Sequence, residues 1–358
     1  MTKTMTPALL EADVTVARRT FDVVARVSLA PGKRLALFGT SGAGKTTLVE
    51  AIAGTTPISS GEVRLDRKVV NAPPATWRAL YPRGDRAGRR RSEPPVPFRH
   101  RGVAAVRQPT TLFPHLSVIE NVGYGLGRPR PDHSDGSFAE LLDRVGLSDL
   151  RQAVPEALSG GQRQRAALAR ALARPFKALL LDEPFSAVDV TSRGDLRDLA
   201  IDVTRRNGAV SVLVTHDLGE AQAFGDRIGV MDGGRILQIG DAAEIARAPA
   251  NRRVAELFGY TCFSDHDEQY LRAFHPDRFA AGAYPERGIV VHGIVTAVRA
   301  FGARFACEVQ VNDPSSLATL SPIQVNVDCP PAVGSRLEVT ATEPPLVARV
   351  AVEGDEEG

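Results

Sequence analysis

Nine consecutive residues, Gly39, Thr40, Ser41, Gly42, Ala43, Gly44, Lys45, Thr46 and Thr47, carry the most specific chemistry in the chain. They fit G-x-x-x-x-G-K-[ST], a loop built to hold the phosphates of a nucleoside triphosphate. Its glycines let successive backbone N–H groups turn inward, and the helix that follows presents its positive end to an anion. Lys45 is expected to reach the β- and γ-phosphates, with the Thr46 hydroxyl on Mg²⁺. Asp182 and Glu183 form a second cluster, directly after the apolar run Ala178–Leu181. At the end of a buried strand, Asp182 can support Mg²⁺ through a water and Glu183 can polarise an attacking water. The same acidic pair is also what caps a helix. A third stretch, Leu158, Ser159, Gly160, Gly161 and Gln162, puts a hydroxyl and glycine amides at a helix start, a second anion site.

The elements that must position these groups follow from periodicity. Leu35–Phe38 reads as the strand entering the loop, and Leu48–Ala53 as the helix leaving it. Residues 12–38 alternate apolar and polar through Val14, Val16, Phe21, Val23, Val24, Val27 and Leu29, with a Pro31-Gly32 turn, as an antiparallel β layer does. Gly61–Leu65 suggests a further short strand. Ala178–Leu181 and Val210–Val214 are short apolar runs suited to strands buried on both faces of a parallel sheet. Ile228–Met231, Asp232-Gly233-Gly234 and Arg235–Leu237 form a strand–turn–strand signal. From Phe113 to Arg174 the pattern is helical, with Leu141, Leu142, Val145 and Leu147 on one amphipathic helix and Gln162–Leu172 on another. Strands alternating with helices around a phosphate loop predict an α/β domain.

Past residues 242–258, again helical, the texture changes. Ile289–Val291, Ile294-Val295, Cys307–Val311, Ile323–Val327 and Leu337–Val339 are β-branched runs between Gly and Pro turns, the pattern of a small all-β barrel or sandwich. The 353–358 tail is acidic and reads as a frayed end. Residues 72–101 hold Arg78, Arg83, Arg86, Arg89, Arg90, Arg91, Arg99 and Arg101 among prolines and glycines, without apolar periodicity. A nucleic-acid or acidic-lipid patch and a solvated surface insertion both have this composition. Without a fold to present the arginines, the insertion reading is favoured, so no nucleic-acid partner is expected.

The 358 residues suffice for two domains, and 24% charged with 43% hydrophobic residues is the balance of a soluble globular protein. A net charge of +2 says little about partners. Cys262, Cys307 and Cys329 lack metal-ligand spacing and read as reduced thiols. No stretch approaches the ~18 apolar residues of a membrane span, and Glu11 and Asp13 interrupt any secretion signal.

Leu158–Gln162, with Arg163, Gln164 and Arg165 and the alanine-rich run behind them, resembles the signature motif of ATP-binding cassette (ABC) ATPases. Ser159 stands 23 positions before Asp182 (182 − 159), and His216, in Val214-Thr215-His216-Asp217, stands 33 past Glu183 (216 − 183), as in that family. Gln108 resembles its Q-loop glutamine, Ser186-Ala187-Val188-Asp189 its D-loop, and His216 its switch histidine. The resemblance covers about residues 12–240. It implies a head-to-tail homodimer in which the Ser159 stretch of one subunit closes over ATP held by the Lys45 loop of the other. It further implies Glu183 as general base, His216 orienting γ-phosphate and water, and Gln108 sensing Mg²⁺ and linking the site to a membrane partner. Two positions depart from the family: Arg107 replaces the usual Phe, and Val16 stands where an adenine-stacking aromatic is expected, 29 positions before Lys45 (45 − 16). Phe21 is the nearest candidate for that role, or else a core strand residue.

Leu112–Val118 and Glu120–Leu126 look like the importer branch handling sugars, polyamines, ferric iron, sulfate and molybdate. The C-terminal β region resembles the oligomer-binding-like (TOBE) domain of that branch, with Leu271–Asp277 similar to its opening strand. The short N-terminal β segment and Ala36–Gly39 are similar to the molybdate importers. The expected organisation is an ABC cassette at 1–240, with the Arg/Pro-rich insertion at 72–101 and a helical subdomain at 110–175. A helical linker at 241–265 and a TOBE-like domain at 266–358 follow. What the resemblance implies is an ATPase with Mg²⁺, on the cytoplasmic face of the membrane beneath two permease subunits and served by a substrate-binding protein. The resemblance slightly favours an oxyanion cargo such as molybdate or sulfate, with iron, polyamine or sugar as alternatives. A soluble ABC ATPase acting on DNA or ribosomes is the competing class, but one cassette without sustained heptads does not fit it well. A ligand-sensing role for the β domain is compatible with transport.

Overall fold

The computed structural model describes residues 9–73, 100–124 and 136–264, and beyond them 270–274, 279–281, 289–301, 304–311, 318–319, 323–327, 331–341 and 346–349. The chain divides into two compact units, Met1–Ile236 and Leu237–Gly358.

In the first unit, β1 (Leu10–Val16) and β2 (Val23–Leu29) bury alternate residues, as a sheet covered on one face requires. They pair antiparallel from Leu10↔Leu29 to Val16↔Val23. Val23 takes the inward position, so Val24, read as part of the apolar set, faces outward at 43% exposure. The Pro31-Gly32 turn leads into β3 (Arg34–Phe38), the phosphate loop and α1 (Lys45–Ala53). β4 (Ser60–Leu65) pairs on the other side of β1. β5 (Lys68–Asn71) pairs with β4 across Asp66 and Arg67, whose φ values of 50° and 63° supply the left-handed turn a two-residue hairpin needs.

The buried half of the sheet is parallel. β6 (Val103–Val106), β7 (Ala178–Asp182), β8 (Val210–Thr215) and β9 (Arg227–Asp232) join β3, with β10 (Arg235–Gly240) beside β2. The ten strands run β5-β4-β1-β2-β10-β9-β3-β8-β7-β6. Every residue of β7 and β8 is buried, which explains why Ala178–Leu181 is wholly apolar and Val210–Val214 apolar but for Ser211. β3 lies between β8 and β9, and β7 lies one strand further on, so the loop and the acidic pair leave the same edge of the sheet.

Beside β6 and β7 lies the helical part: α2 (Val118–Tyr124), α3 (Gly136–Arg144) and α4 (Gly160–Leu172). Phe138, Leu142, Val145 and Leu147 form one core with Leu168, Leu172, Leu179 and Leu181. Burial of each such side chain is worth about 2 kcal/mol, so α4 is anchored to β7. α5 (Val190–Arg206) and α6 (Leu218–Phe224) complete the unit. One expectation changes here. Arg101, read as part of a solvated insertion, is 9% exposed and donates from Nη1 to Ala53 O (2.6 Å), closing the end of α1. Residues 74–99 of that insertion, and Gly125 and Leu126, lie outside the described residues.

The second unit opens with α7 (Ala242–Arg247) and α8 (Arg252–Leu257). The helical linker read to 265 ends sooner, because β11 (Thr261–Ser264) is already a strand, paired with β12 (Tyr270–Phe274). The further strands are β13 (Phe279–Ala281), β14 (Ile289–Phe301), β15 (Arg304–Val311), β16 (Ala318–Thr319), β17 (Ile323–Val327), β18 (Arg336–Ala341) and β19 (Leu346–Arg349). They make a four-stranded sheet, β16-β11-β12-β19, and a five-stranded one, β13-β18-β14-β15-β17. The runs Ile289–Val291 and Ile294-Val295 belong to one strand that continues through Gly293 and shifts register between Val295 and Ala297. Val295, Cys307, Val309, Val325 and Val339 are buried. His275–Asp277, Cys329 and the 353–358 tail lie outside the described residues.

Candidate active site

The phosphate loop is held from behind. Gly234 N donates to Ala43 O (3.0 Å), and Thr40 Oγ1 donates to Asp232 Oδ1 (3.2 Å). Gly44 has φ 98°, and a Cβ there would lie 2.9 Å from Val23 Cγ2, so only glycine fits that turn. Ser41 and Gly42 form the exposed crest, while Lys45 is 5% exposed. Lys45 Nζ bends back across the loop and donates to the carbonyls of Gly39 and Thr40, both at 2.8 Å. Burial lowers its pKa, and the nearby charges of Glu183 and Asp182 oppose that shift.

Thr46 and Asp182 meet directly: Thr46 Oγ1 donates to Asp182 Oδ1 at 3.1 Å. Burial pushes the Asp182 pKa up, against the lowering effect of the Thr46 bond. Two adjacent hard oxygens of this kind are a donor set suited to Mg²⁺. No group of three His, Cys, Asp or Glu side chains suited to a metal occurs among the described residues. A Mg²⁺ held mainly by phosphates and water needs none.

Glu183 leaves the strand in a left-handed conformation, φ 45°, unusual for a residue with a side chain. Four contacts impose it. Its N–H donates to Val214 O (3.0 Å), and its carbonyl accepts from Gln164 Nε2 (2.7 Å), Ser186 Oγ (3.0 Å) and Ser186 N (3.3 Å). The carboxylate is thereby turned toward the end of β8, where His216 Nδ1 lies 3.2 Å from Glu183 Oε1. Gln108 reaches the same place, donating from Nε2 to Ser186 Oγ at 3.0 Å. At Arg107 the guanidinium forms an ion pair with Glu50 of α1.

Ser159 caps α4 and shares a capping box with Gln162: Gln162 N donates to Ser159 Oγ (3.2 Å), and Ser159 N to Gln162 Oε1 (2.8 Å). Leu158–Gln162 makes no hydrogen bond to the phosphate loop among the described residues. It is tied instead to the D-loop. A Cβ on Gly161 would sit 2.7 Å from Ala187 O, whereas one on Gly160 would meet nothing within 4 Å. Asp189 caps α5, accepting from Ser192 N (2.9 Å) and Thr191 Oγ1 (2.6 Å), and these bonds draw its pKa down to about 2.

Val16 is 2% exposed inside β1. Phe21 is half-buried in the β1–β2 turn, its ring so close to Gly234 that a Cβ there would lie 2.5 Å from Cδ2.

Sequence reasoning missed Gln164. It is 3% exposed, donates to Glu183 O and accepts from Ala187 N (2.9 Å), joining α4 to the turn that carries Glu183. The signal was there: a polar residue four positions before Leu168, on the apolar face of an alanine-rich helix.

A phosphate loop on β3, an acidic pair ending β7 and a signature helix packed on the D-loop define an ABC cassette of the P-loop NTPase fold. Residues 24–186 match the family model described as ABC transporter. Among curated proteins, the chain is 41% identical over 230 residues to the Fe(3+) ions import ATP-binding protein FbpC 2 of Rhodococcus jostii, covering 64% of this chain and 60% of that one. It is 42% identical over 238 residues to the sulfate/thiosulfate import ATP-binding protein CysA 2 of Chromobacterium violaceum (66% and 58% covered). It is 40% identical over 235 residues to the spermidine/putrescine import ATP-binding protein PotA of Pseudomonas fluorescens (65% and 59%). The chain thus matches about three-fifths of the length of these relatives. Among solved structures, the ATP-binding cassette MJ0796, a dimer in a post-hydrolysis state with ADP and Pi, aligns at TM-score 0.52 and 26% identity. That alignment covers 65% of this chain and 98% of the other.

Proposed function

We propose that this chain is the ATP-hydrolysing subunit of an importer. The observation that carries the proposal is the convergence of Lys45, the Thr46–Asp182 pair and the Glu183–His216 pair at one edge of one sheet. Phosphoryl transfer needs positioning and charge stabilisation more than covalent help, and these groups supply both. The Gly39–Thr47 loop holds the phosphates of ATP, and Lys45 leaves its two carbonyl partners for phosphate oxygen. Thr46, Asp182 and Gln108 would hold Mg²⁺, which would supply positive charge against the charge developing on the phosphates. Glu183 accepts a proton from the attacking water. His216, hydrogen-bonded to that carboxylate, keeps it aimed.

Two copies associate head to tail, so that Leu158–Gln162 of each closes on the nucleotide of the other, with Ser186 and Asp189 of the D-loop at the junction. Phe21 borders the base. Two membrane permeases sit above this dimer on the cytoplasmic face, fed by a substrate-binding protein, and no helix among the described residues is long and apolar enough to cross a membrane itself. The named cargoes of the relatives are ferric iron, sulfate or thiosulfate, and polyamines. Within that range we favour an oxyanion such as sulfate or molybdate. The 266–358 region is the TOBE-like accessory domain.

Purification of the tagged chain from its native membranes, followed by mass spectrometry, tests the importer reading. A multi-span permease is expected in the preparation. Ribosomal or DNA-repair proteins without a permease would overturn it.

A further inference from the structure

One cation beside the phosphate loop has no part in the chemistry above. Arg18, in the turn between β1 and β2, is an exposed residue, yet its Nη1 donates to Thr47 Oγ1 at 2.7 Å. Thr47 closes the loop motif and is 4% exposed. Successive helix residues point about 100° apart, and here the two threonines divide the site. Thr46 bonds to Asp182 on the hydrolytic side, while Thr47 bonds to Arg18 on the side of the β1–β2 turn. The same turn carries Phe21 against Gly234, which itself bonds to Ala43 of the loop. Val16, buried in β1, presents nothing to a nucleotide from this side.

We propose that Arg18 is a nucleotide-binding residue that takes the α-phosphate end of the nucleotide, opposite the Asp182–Glu183 side. The proposal rests on ATP occupying the Lys45 loop. A guanidinium has five N–H donors in a planar fork. One donor on Thr47 fixes the plane, and the others are suited to phosphate oxygen in a charge-assisted bond. Arg18 compensates in this way for the missing aromatic at position 16: the end of the nucleotide away from the γ-phosphate is held by charge.

The test is calorimetric titration of the full chain with ADP and with a non-hydrolysable ATP analogue. Arg18→Ala is expected to weaken both about tenfold, the scale of one charge-assisted hydrogen bond at a partly exposed site. Arg18→Lys, which keeps the charge and loses the fork, is expected to recover part of that loss. The melting temperature without nucleotide is expected to stay within about 1 °C of wild type, since an exposed side chain contributes little to stability. Unchanged affinity for both ligands would overturn the proposal, as would a loss confined to the triphosphate analogue, which would place Arg18 at the γ-phosphate. If the unsubstituted chain bound neither ligand, the ATP reading itself would fall, a result distinguishable from the failure of Arg18 alone.

Discussion

Gln164 and Glu183 are joined by a 2.7 Å hydrogen bond from a buried side-chain amide to a main-chain carbonyl. That bond belongs to the helix carrying the signature and ends on the residue assigned as general base. Because the other end of Gln164 accepts from Ala187 N, one side chain fixes both the catalytic turn and the D-loop.

Gln164→Leu is expected to leave the Ala187 amide without its partner and Glu183 O with one fewer donor in a buried setting. The cost is about 1–3 kcal/mol, readable as a lower midpoint in urea. ATPase kcat is expected to fall more than the affinity for ATP, since the phosphate loop is untouched.

The two signature glycines are expected to respond differently to alanine. Gly161→Ala drives a Cβ against the Ala187 carbonyl, 2.7 Å away, at a cost of about 1–3 kcal/mol. Gly160→Ala meets open space and adds helix propensity, so stability is expected to hold or rise by up to about 1 kcal/mol. Thermal melts of the two variants check this directly.

Asp182 carries a pH signature. Burial raises its folded pKa above the unfolded value, so the folded state holds the proton more tightly and stability falls as pH rises through the folded pKa. Asp182→Asn, which cannot ionise, is therefore expected to melt higher than wild type at pH 7.5 without nucleotide. The difference is expected to shrink toward pH 4. A lower melting temperature for Asp182→Asn at both pH values would contradict the assignment.

Arg107→Ala is expected to change stability by less than about 1 kcal/mol, because the Arg107 side of the Glu50 pair is half exposed to solvent. Denaturant melts in low and high salt measure this, with the difference from wild type smaller at high salt.

Much of the fold was legible because burial on both faces leaves a plain mark. Ala178–Leu181 is an uninterrupted apolar run and Val210–Val214 is apolar but for Ser211, and both became wholly buried parallel strands. The phosphate loop was legible because its backbone path admits few residue types. β6, by contrast, is four small or β-branched residues at the sheet edge, too short for a period to emerge. β5 was hidden because its turn uses Asp66 and Arg67, without glycine. Arg101 was misread for a different reason: composition averaged it with its neighbours, whereas its guanidinium meets one carbonyl at a helix end. Gln164 was quoted as part of a motif without a role, since a buried amide reveals its partners only in three dimensions.

The central claim is that Glu183 activates water at a nucleotide closed between two copies of the chain. Glu183→Gln keeps the shape of the side chain and removes the base. Phosphate release and light-scattering mass, measured together at millimolar MgATP, test it most directly. The account predicts turnover reduced about 100-fold or more, together with a stable ATP-dependent dimer. Turnover close to wild type, or a variant that remains monomeric with ATP bound, would contradict it.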